Sequence, residues 1–216
     1  MQGDKKMADF NAMQEALVDC DQDKLLGLVN SALAEGVAAA EILNQGLIAG
    51  MDIVGDKMEN GDMFIPEVLM SAQAMSACVD ILKPLLAEGE GTQSANVIIG
   101  TVKGDLHDIG KNLVSMMMES GGMNVHNLGV DIDPDEFVAQ IKEKDATIVC
   151  LSALLTTTMP MMKATVDAIV DAGLRDKVKI MIGGAPVTQA FADEICVDGF
   201  AADAGSAVKL AKALAA

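Results

Sequence analysis

Apolar residues in the first 90 positions recur at three- and four-residue spacing, and runs of β-branched residues are absent. This periodicity is typical of amphipathic helices. It predicts four helices, at Ala8 to Asp19, Asp23 to Glu35, Ala38 to Glu59 and Ile65 to Leu86. Asp23 is the predicted N-cap of the second helix, Gly36 ends it, and Pro66 fits the first turn of the fourth. The first part of the chain is therefore predicted to form a four-helix bundle.

The pattern then changes to short apolar runs that alternate with amphipathic stretches. Strands are predicted at 97–102, 124–129, 147–153, 179–184 and 198–203. Helices are predicted near 109–121, 134–144, 158–172, 187–196 and 205–215. Because parallel strands are joined through crossover helices, this alternation predicts an α/β domain with a Rossmann-like (flavodoxin-like) five-stranded parallel sheet.

A polar segment rich in glycine and serine separates the two patterns. It runs from Ala87 to Asn96, shows no apolar periodicity and is typical of a surface linker. We therefore expect two domains, a helical one at residues 1–90 and an α/β one at residues 91–216.

The chain is strongly acidic, with 32 acidic and 15 basic residues and a net charge of −17. An acidic surface repels phosphate backbones and anionic membranes, so neither nucleic acid nor a membrane is an expected partner. No apolar run approaches the length of a signal peptide core or a membrane span, which predicts a cytoplasmic protein. The four cysteines form no CxxC pair, so neither a disulfide framework nor a zinc ribbon is predicted.

Polar and glycine residues follow three of the predicted strands. The first strand is followed by Gly104 to Gly110, the third by Ser152 to Leu154, and the fourth by Gly183 and Gly184. Because ligands of open α/β sheets bind at the carboxyl ends of the strands, these loops predict a pocket for a large ligand that approaches the backbone closely.

The first loop has glycines and a following Lys111, but it does not fit a P-loop. Five residues separate Gly104 from Gly110 where the P-loop has four, and Asn112 stands where the magnesium-binding Ser or Thr is required. Nucleotide hydrolysis is therefore not expected.

The same loop holds His107, one of two histidines in the chain. Asp105 precedes it by two residues, so a carboxylate can accept a hydrogen bond from one ring nitrogen while the other nitrogen faces a metal. The alternative is an ordinary neutral histidine that caps or packs in a loop. His126, which has no such neighbour, is interpreted in that second way.

The residues at the strand ends carry a resemblance to a known family. The sequence is similar to the corrinoid proteins of methylamine-type methyltransferase systems, and more distantly to the cobalamin-binding module of methionine synthase. The family pattern is DxHxxG, 41 residues, SxL, 26 to 28 residues and GG. It is matched here in full, with 41 and 28 intervening residues, by Asp105, His107, Gly110, Ser152, Leu154, Gly183 and Gly184.

The resemblance implies a role for each of these residues toward cobalamin or a related corrinoid, bound with its own base displaced. His107 is the lower ligand of the cobalt and Asp105 orients its ring. Thr158 extends this relay from the place of a family serine. Ser152 bonds the displaced base, and Leu154 lines the channel for the cofactor tail.

Three glycines give room to that tail, according to the same resemblance. Gly110, Gly183 and Gly184 lie where a Cβ would strike it. Without a cofactor these glycines are ordinary turn and strand-end residues.

The helical half resembles the cap that shields the upper corrin face in the same family. The match lies in Val54 to Met75, and by position Met58, Ile65 and Val68 correspond to the apolar cap residues. Met58 departs from the phenylalanine of methionine synthase. The alternative is that all three are core residues of the bundle.

The implied function is that of a methyl carrier with no complete catalytic cycle of its own. A substrate-specific corrinoid methyltransferase transfers a methyl group from a methylated amine, forming methyl-Co(III). A second methyltransferase delivers it to a thiol or to tetrahydrofolate or another pterin, and a reductive activator rescues oxidised cobalt. The linker is the expected hinge for cap movement.

There are three alternatives to this function. The first is the same carrier with another donor, such as methanol or an aryl ether. A mutase or complete methyltransferase needs a substrate domain for which the chain leaves no room. A B12-based sensor is expected to carry a DNA-binding or signalling segment, and none is seen.

Overall fold

The computed structural model of the protein describes residues 9–85 and 95–215. The chain divides into two compact units, one of residues 1–93 with 120–122 and one of the remaining residues. Most of the predicted linker and the predicted terminal residues Ala8 and Leu86 lie outside the described residues.

The first unit is helical. Its helices are α1 (Phe10–Val18), α2 (Gln22–Ala34), α3 (Ala39–Glu41), α4 (Ala49–Glu59) and α5 (Ile65–Leu82), and a short 3₁₀ turn (Lys83–Leu85) follows. A π-helical segment (Ile42–Ile48) joins α3 to α4 without interruption. The predicted third helix is therefore one continuous element with a wider central part, and the prediction of four helices is confirmed.

Aspartate side chains begin the first two helices. Asp9 Oδ1 accepts the Ala12 N–H at 3.0 Å, and Asp21 Oδ1 accepts the Lys24 N–H at 3.0 Å. The prediction that Asp23 caps α2 is wrong, because Asp21 holds that position and Asp23 lies in the first turn. There its charge still favours the positive end of the helix dipole.

Gly46 in the π-helical segment and Gly50 in α4 lie close to α1. A Cβ on Gly46 would come within 2.7 Å of Met13 Sδ, and a Cβ on Gly50 within 2.6 Å of Leu17 Cδ1. Since Met13 and Leu17 are fully buried, small residues are needed for the helices to pack at this distance.

Helix α5 is long and apolar enough by length and composition to cross a membrane, which the sequence analysis did not recognise. Seven of its residues are buried, among them Val68, Met75 and Leu82. The central helix of a packed bundle meets the same criterion, because it is apolar on most of its faces.

The second unit alternates strands and helices. Its strands are β1 (Asn96–Val102), β2 (Asn124–Ile132), β3 (Ile148–Ser152), β4 (Lys179–Gly183) and β5 (Gly199–Ala201). Its helices are α6 (Ile109–Ser120), α7 (Pro134–Glu143), α8 (Met159–Asp171), α9 (Gln189–Glu194) and α10 (Ala204–Ala215), with a 3₁₀ turn at Arg175–Lys177. Every predicted strand and helix of this unit is present.

All neighbouring strands pair in parallel, in the order β2-β1-β3-β4-β5. This confirms the predicted flavodoxin-like sheet. Strands β1 and β3 are buried along nearly their whole length, because helices cover both faces. The strand order reverses between β1 and β3, so a crevice opens at their carboxyl ends.

Strand β2 extends three residues beyond its predicted end at Gly129. Its pairing with β1 shifts register twice, between Ile99 and Gly100 and between Gly100 and Val102. Each shift places an extra residue on β2, as in a β-bulge. Near the second shift Asp131 adopts a positive φ of 56°.

Candidate functional site

The loop between β1 and α6 carries His107 at the point where the strand order reverses. Asp105 in this loop is fully buried, whereas the His107 side chain is 49% exposed. The loop thus holds a buried carboxylate, that of Asp105, and an accessible imidazole ring, that of His107.

Asp105 and His107 form the contact that their spacing predicted. Asp105 Oδ1 lies 2.7 Å from His107 Nδ1 and also accepts the His107 backbone N–H at 3.1 Å. Among the residues that the structure describes, no hydrogen bond to the other ring nitrogen, Nε2, is found. In the tautomer whose Nδ1–H donates to the carboxylate, Nε2 has a lone pair with which it can bind a metal.

The second oxygen of Asp105 is also fully engaged. Oδ2 accepts the Thr158 hydroxyl at 2.7 Å, the Leu154 N–H at 2.7 Å and the Leu155 N–H at 3.3 Å. Burial alone would raise the pKa of Asp105, but the hydrogen bonds from Leu154, Thr158 and His107 outweigh it and hold the pKa well below its ordinary value. Asp105 is therefore a buried, ionised anchor.

Thr158, at the start of α8, contacts the oxygen of Asp105 that His107 does not contact. Its hydroxyl lies 2.7 Å from Asp105 Oδ2 and 2.9 Å from the Leu155 carbonyl oxygen. One hydroxyl proton serves one of these acceptors at a time, and the carboxylate is the stronger. The structure thus brings together Asp105, His107 and Thr158, as the sequence analysis predicted.

Ser152 is the last residue of β3, and Leu154 lies in the loop that follows it. Ser152 pairs in register with Thr101 of β1 and with Gly183 of β4, which places it between the two loops. Leu154 is 40% exposed, and its backbone N–H bonds Asp105. Leu154 was predicted to line the channel for the cofactor tail, and the structure adds that its backbone N–H helps to hold the Asp105 carboxylate in place.

The three predicted tail glycines differ in their surroundings. A Cβ on Gly110 would meet nothing within 4 Å, so this glycine leaves open space. A Cβ on Gly183 would lie 3.1 Å from the Ala201 carbonyl oxygen. Gly184 has a φ of +132°, and a Cβ there would collide with the Ala153 carbonyl, so the fold itself requires glycine.

Large apolar side chains are exposed around His107. Leu106 is 71% exposed and Ile109 81%, and Leu154 and Leu155 are each exposed by about two-fifths. A cluster of exposed apolar residues beside an available imidazole marks a site for an apolar ligand.

The structure adds residues that the sequence analysis missed. The buried Thr101 hydroxyl donates to the His107 carbonyl oxygen at 2.8 Å, and Asp131 Oδ1 accepts the Gly104 N–H at 2.7 Å. Both contacts join the loop to neighbouring strands. No local pattern in the sequence signals them, because the Thr101 contact depends on how the loop returns to the end of β1 and the Asp131 contact depends on the irregular end of β2.

The Lys111 side chain packs inside the α/β unit, unlike the phosphate-binding lysine of a P-loop. It is buried, and its ammonium donates to Asn112 Oδ1 and to Asn127 Oδ1, each at 2.6 Å. Burial lowers its pKa from the ordinary lysine value. The side chain is thus engaged with amide oxygens of α6 and β2.

His126 has the surroundings expected of a histidine without a site. It lies on β2, with Nε2 3.4 Å from Asn124 Nδ2. Within the described ranges, no group of three or more His, Cys, Asp or Glu side chains could hold a metal ion. A metal held by His107 would therefore depend on ligands from a cofactor.

The three predicted cap residues have different exposures. Val68 is fully buried, Met58 is half-buried, and Ile65 is 48% exposed. The burial of Val68 is that of a core residue, the alternative that the sequence analysis weighed. Ile65 and Met58 keep accessible surface, as does the neighbouring Phe64, which is 68% exposed.

Comparison with protein families gives two matches, one in each unit. A family described as B12 binding domain matches residues 95–210, and a second family of the same description matches residues 10–83. The dimethylamine corrinoid protein of Methanosarcina barkeri is 44% identical over 205 residues, which cover 94% of this chain and 96% of that protein.

Two crystal structures are similar over nearly the whole chain. A cobalamin-binding protein from Desulfitobacterium hafniense superimposes with a TM-score of 0.84 at 34% identity, covering 96% of this chain and 99% of that one. The methanol:cobalamin methyltransferase complex of Methanosarcina barkeri gives a TM-score of 0.80 at 28% identity, covering 95% of this chain and 79% of that one.

Proposed function

Because the chain belongs to the B12-binding corrinoid proteins, we propose that it carries a cobalamin-type corrinoid and passes methyl groups between partner methyltransferases. The observation that carries this proposal is the half-exposed His107 ring, whose Nδ1 lies 2.7 Å from the buried Asp105 carboxylate. A histidine oriented in this way is a typical metal ligand.

The residues around His107 fit a corrinoid. Nε2 would be available to bind the cobalt ion, and the corrinoid would supply the remaining ligands. The exposed Leu106, Ile109 and Leu154 match the apolar surface of a large flat ring, and Gly110 leaves open space beside it. The donor set and the surface therefore agree with the cofactor.

When bound, a corrinoid supplies a cobalt centre that accepts and donates methyl groups. The chain supplies position and electrostatics. His107 would hold the cobalt, Asp105 orients the imidazole ring through Nδ1, and Thr158 holds the Asp105 carboxylate in place.

We assign the tail of the cofactor to the crevice between β1 and β3. Ser152 has a hydroxyl there for a displaced base, and Gly110 and Gly183 border the same loops. Gly184 contributes to the shape of this edge through its own backbone requirement. The cap roles of Met58, Ile65 and Val68 stay predictions, and Val68 is supported least because it is buried.

A methylated amine is the proposed methyl donor. The similarity to a dimethylamine corrinoid protein, at 44% identity, exceeds that to the methanol:cobalamin complex, at 28%. The proposed partners are a substrate-specific methyltransferase, a second methyltransferase for a thiol or pterin acceptor, and a reductive activator. The protein acts as a carrier subunit, and its free cysteines suit the cytoplasm.

Electron paramagnetic resonance of the Co(II) form tests the cobalt ligand. With ¹⁵N-histidine incorporated into the protein, we expect nitrogen coupling from an imidazole in the wild type and in His126→Ala, and none in His107→Ala. His126→Ala is the matched control because it removes the other histidine. Unchanged coupling in His107→Ala would rule out the assigned ligand.

The donor is tested by methyl transfer with the cognate methyltransferase. We expect dimethylamine or a related methylamine to methylate the reduced holoprotein, as followed by its visible spectrum, and methanol to leave the spectrum unchanged. Methylation by methanol alone would move the protein to the methanol type of system.

A further inference from the structure

We propose that Asp131, at the end of β2, is a positioning residue that holds the loop of His107 in the geometry required for cobalt ligation. This inference rests on the proposed function for its consequence, but the contacts themselves belong to the polypeptide. Asp131 makes no hydrogen bond to the His107 ring or to the Asp105 carboxylate that orients it.

Asp131 holds the loop at two adjacent points. Its Oδ1 accepts the Gly104 N–H at 2.7 Å, and its own N–H donates to the Asp105 carbonyl oxygen at 3.1 Å. The peptide groups on both sides of Gly104–Asp105 are thereby tied to β2, two residues before His107.

The backbone of β2 is distorted where this contact forms. The register shift between Gly100 and Val102 inserts an extra residue, and Asp131 takes a φ of 56°, which non-glycine residues adopt at a cost. Bulges of this kind redirect a side chain, and here the redirected side chain reaches Gly104. Gly104 itself has a φ of +81°.

The need to satisfy buried polar groups does not explain the contact. Both Asp131 and Gly104 are exposed, so water could bond the Gly104 N–H if Asp131 were absent. What the contact provides is a fixed position. The other end of the loop is fixed by Thr101, whose buried hydroxyl donates to the His107 carbonyl oxygen at 2.8 Å.

Three substitutions separate the carboxylate from the backbone distortion. Asp131→Asn keeps an oxygen for the Gly104 N–H and tolerates a positive φ. Asp131→Gly tolerates the φ but removes the oxygen, and Asp131→Ala removes the oxygen and adds strain. Asp133→Ala is the matched control, because it removes a nearby carboxylate that forms an exposed ion pair with Lys103 at 2.7 Å and makes no side-chain hydrogen bond to the cap of α7.

The first measurement uses the protein without cofactor. We expect the amide hydrogen exchange of Gly104, followed by NMR, to accelerate about fivefold or more in Asp131→Gly and Asp131→Ala, and to stay unchanged in Asp131→Asn and Asp133→Ala. Unchanged exchange in Asp131→Gly would overturn the positioning role whether or not the protein carries a corrinoid.

The second measurement uses the Co(II) holoprotein. We expect the ratio of imidazole-ligated to unligated cobalt to fall about fivefold in Asp131→Gly and Asp131→Ala and to be restored in Asp131→Asn. Equal ligation in all variants would overturn the inference and leave the proposed function intact. Absence of imidazole ligation in the wild type would overturn both the ligand assignment and its dependence on Asp131.

Discussion

At the scale of single residues, Asp105 organises the site. A fully buried carboxylate is stable only where hydrogen bonds replace water, and five contacts from Leu154, Leu155, Thr158 and His107 do so here. The imidazole is thus oriented by a carboxylate that is itself held from two segments of chain, its own loop and the stretch between β3 and α8.

Substitution of Thr158 by valine tests this arrangement. Thr158→Val keeps the shape but removes the hydroxyl at 2.7 Å from Asp105, so a buried charge loses one donor. We expect the free energy of unfolding to fall by about 1–3 kcal/mol, measured by urea denaturation. Thr158→Ser, which retains the hydroxyl, should lose much less. An unchanged free energy of unfolding in Thr158→Val would contradict a stabilising role of this hydroxyl, and a comparable loss in Thr158→Ser would mean that the methyl group contributes as much as the hydroxyl.

Cys150 on β3 gives a prediction for the pH dependence of stability. Burial raises the pKa of its thiol from 9.0 to about 12. Between these values the unfolded chain ionises and the folded protein does not, so stability is complete below pH 9 and declines above it. Between pH 8.5 and 10.5 the free energy of unfolding should fall by about 2 kcal/mol through this thiol.

The comparison with Cys150→Ala isolates that contribution. The variant retains every other titrating group, including the buried Cys78, so the difference in free energy of unfolding between the two proteins should shrink as the pH rises from 8.5 to 10.5. A constant difference across this range would show that the Cys150 thiol ionises equally in both states.

At the scale of elements, the sequence predicted most of the α/β unit because its signals are local. The strands are short apolar runs, and aspartates or glycines separate them from amphipathic helices, as at Gly104 and Gly173. The contact between Asp105 and His107 was predictable for the same reason, since two residues of one loop, two positions apart, decide it. The N-cap at Asp21 escaped because Asp23 offered an equally good local signal.

Other elements depend on contacts between distant segments, and local patterns could not predict them. The π-helical segment Ile42–Ile48 lies where Gly46 packs against Met13, a distance of 33 residues along the chain. The extension of β2 to Ile132 and the contact of Asp131 with Gly104 follow from the register between β1 and β2. These features are properties of packing rather than of hydrophobic periodicity.

Gly50 tests the close packing between α4 and α1. In Gly50→Ala the added Cβ would lie 2.6 Å from Leu17 Cδ1 and 3.1 Å from the Gln14 Cα, and the fully buried Leu17 has little room to move. We expect the free energy of unfolding to fall by about 1–3 kcal/mol. Thermal or urea unfolding followed by circular dichroism measures it.

Gly27→Ala is the matched control for that substitution. Gly27 is an exposed glycine inside α2, and a Cβ there would meet nothing within 4 Å. Alanine is the better helix former, so this variant should gain about 0.5–1 kcal/mol. A loss at both positions would contradict the packing explanation for Gly50.

At the scale of the whole molecule, each unit matches a B12 binding domain family of its own, while the residues proposed to hold cobalt lie in the α/β unit. The whole chain carries a net charge of −17, whereas Leu106 and Ile109 beside His107 are exposed apolar residues. The surface beside His107 thus offers apolar contact at Leu106 and Ile109, and the exposed Asp108 between them adds an acidic group.

Binding of the cofactor should therefore appear as added stability of the folded chain. A ligand that binds only the folded state at 100 times its Kd raises the free energy of unfolding by about 2.7 kcal/mol. We expect this gain when cobalamin is added to the wild type and to His126→Ala, followed by urea denaturation. In His107→Ala a tenfold weaker Kd would reduce the gain to about 1.4 kcal/mol at the same concentration. An equal gain in all three proteins would mean that binding energy comes from the tail crevice and the apolar rim alone, and that His107 serves the reactivity of the cobalt rather than its retention.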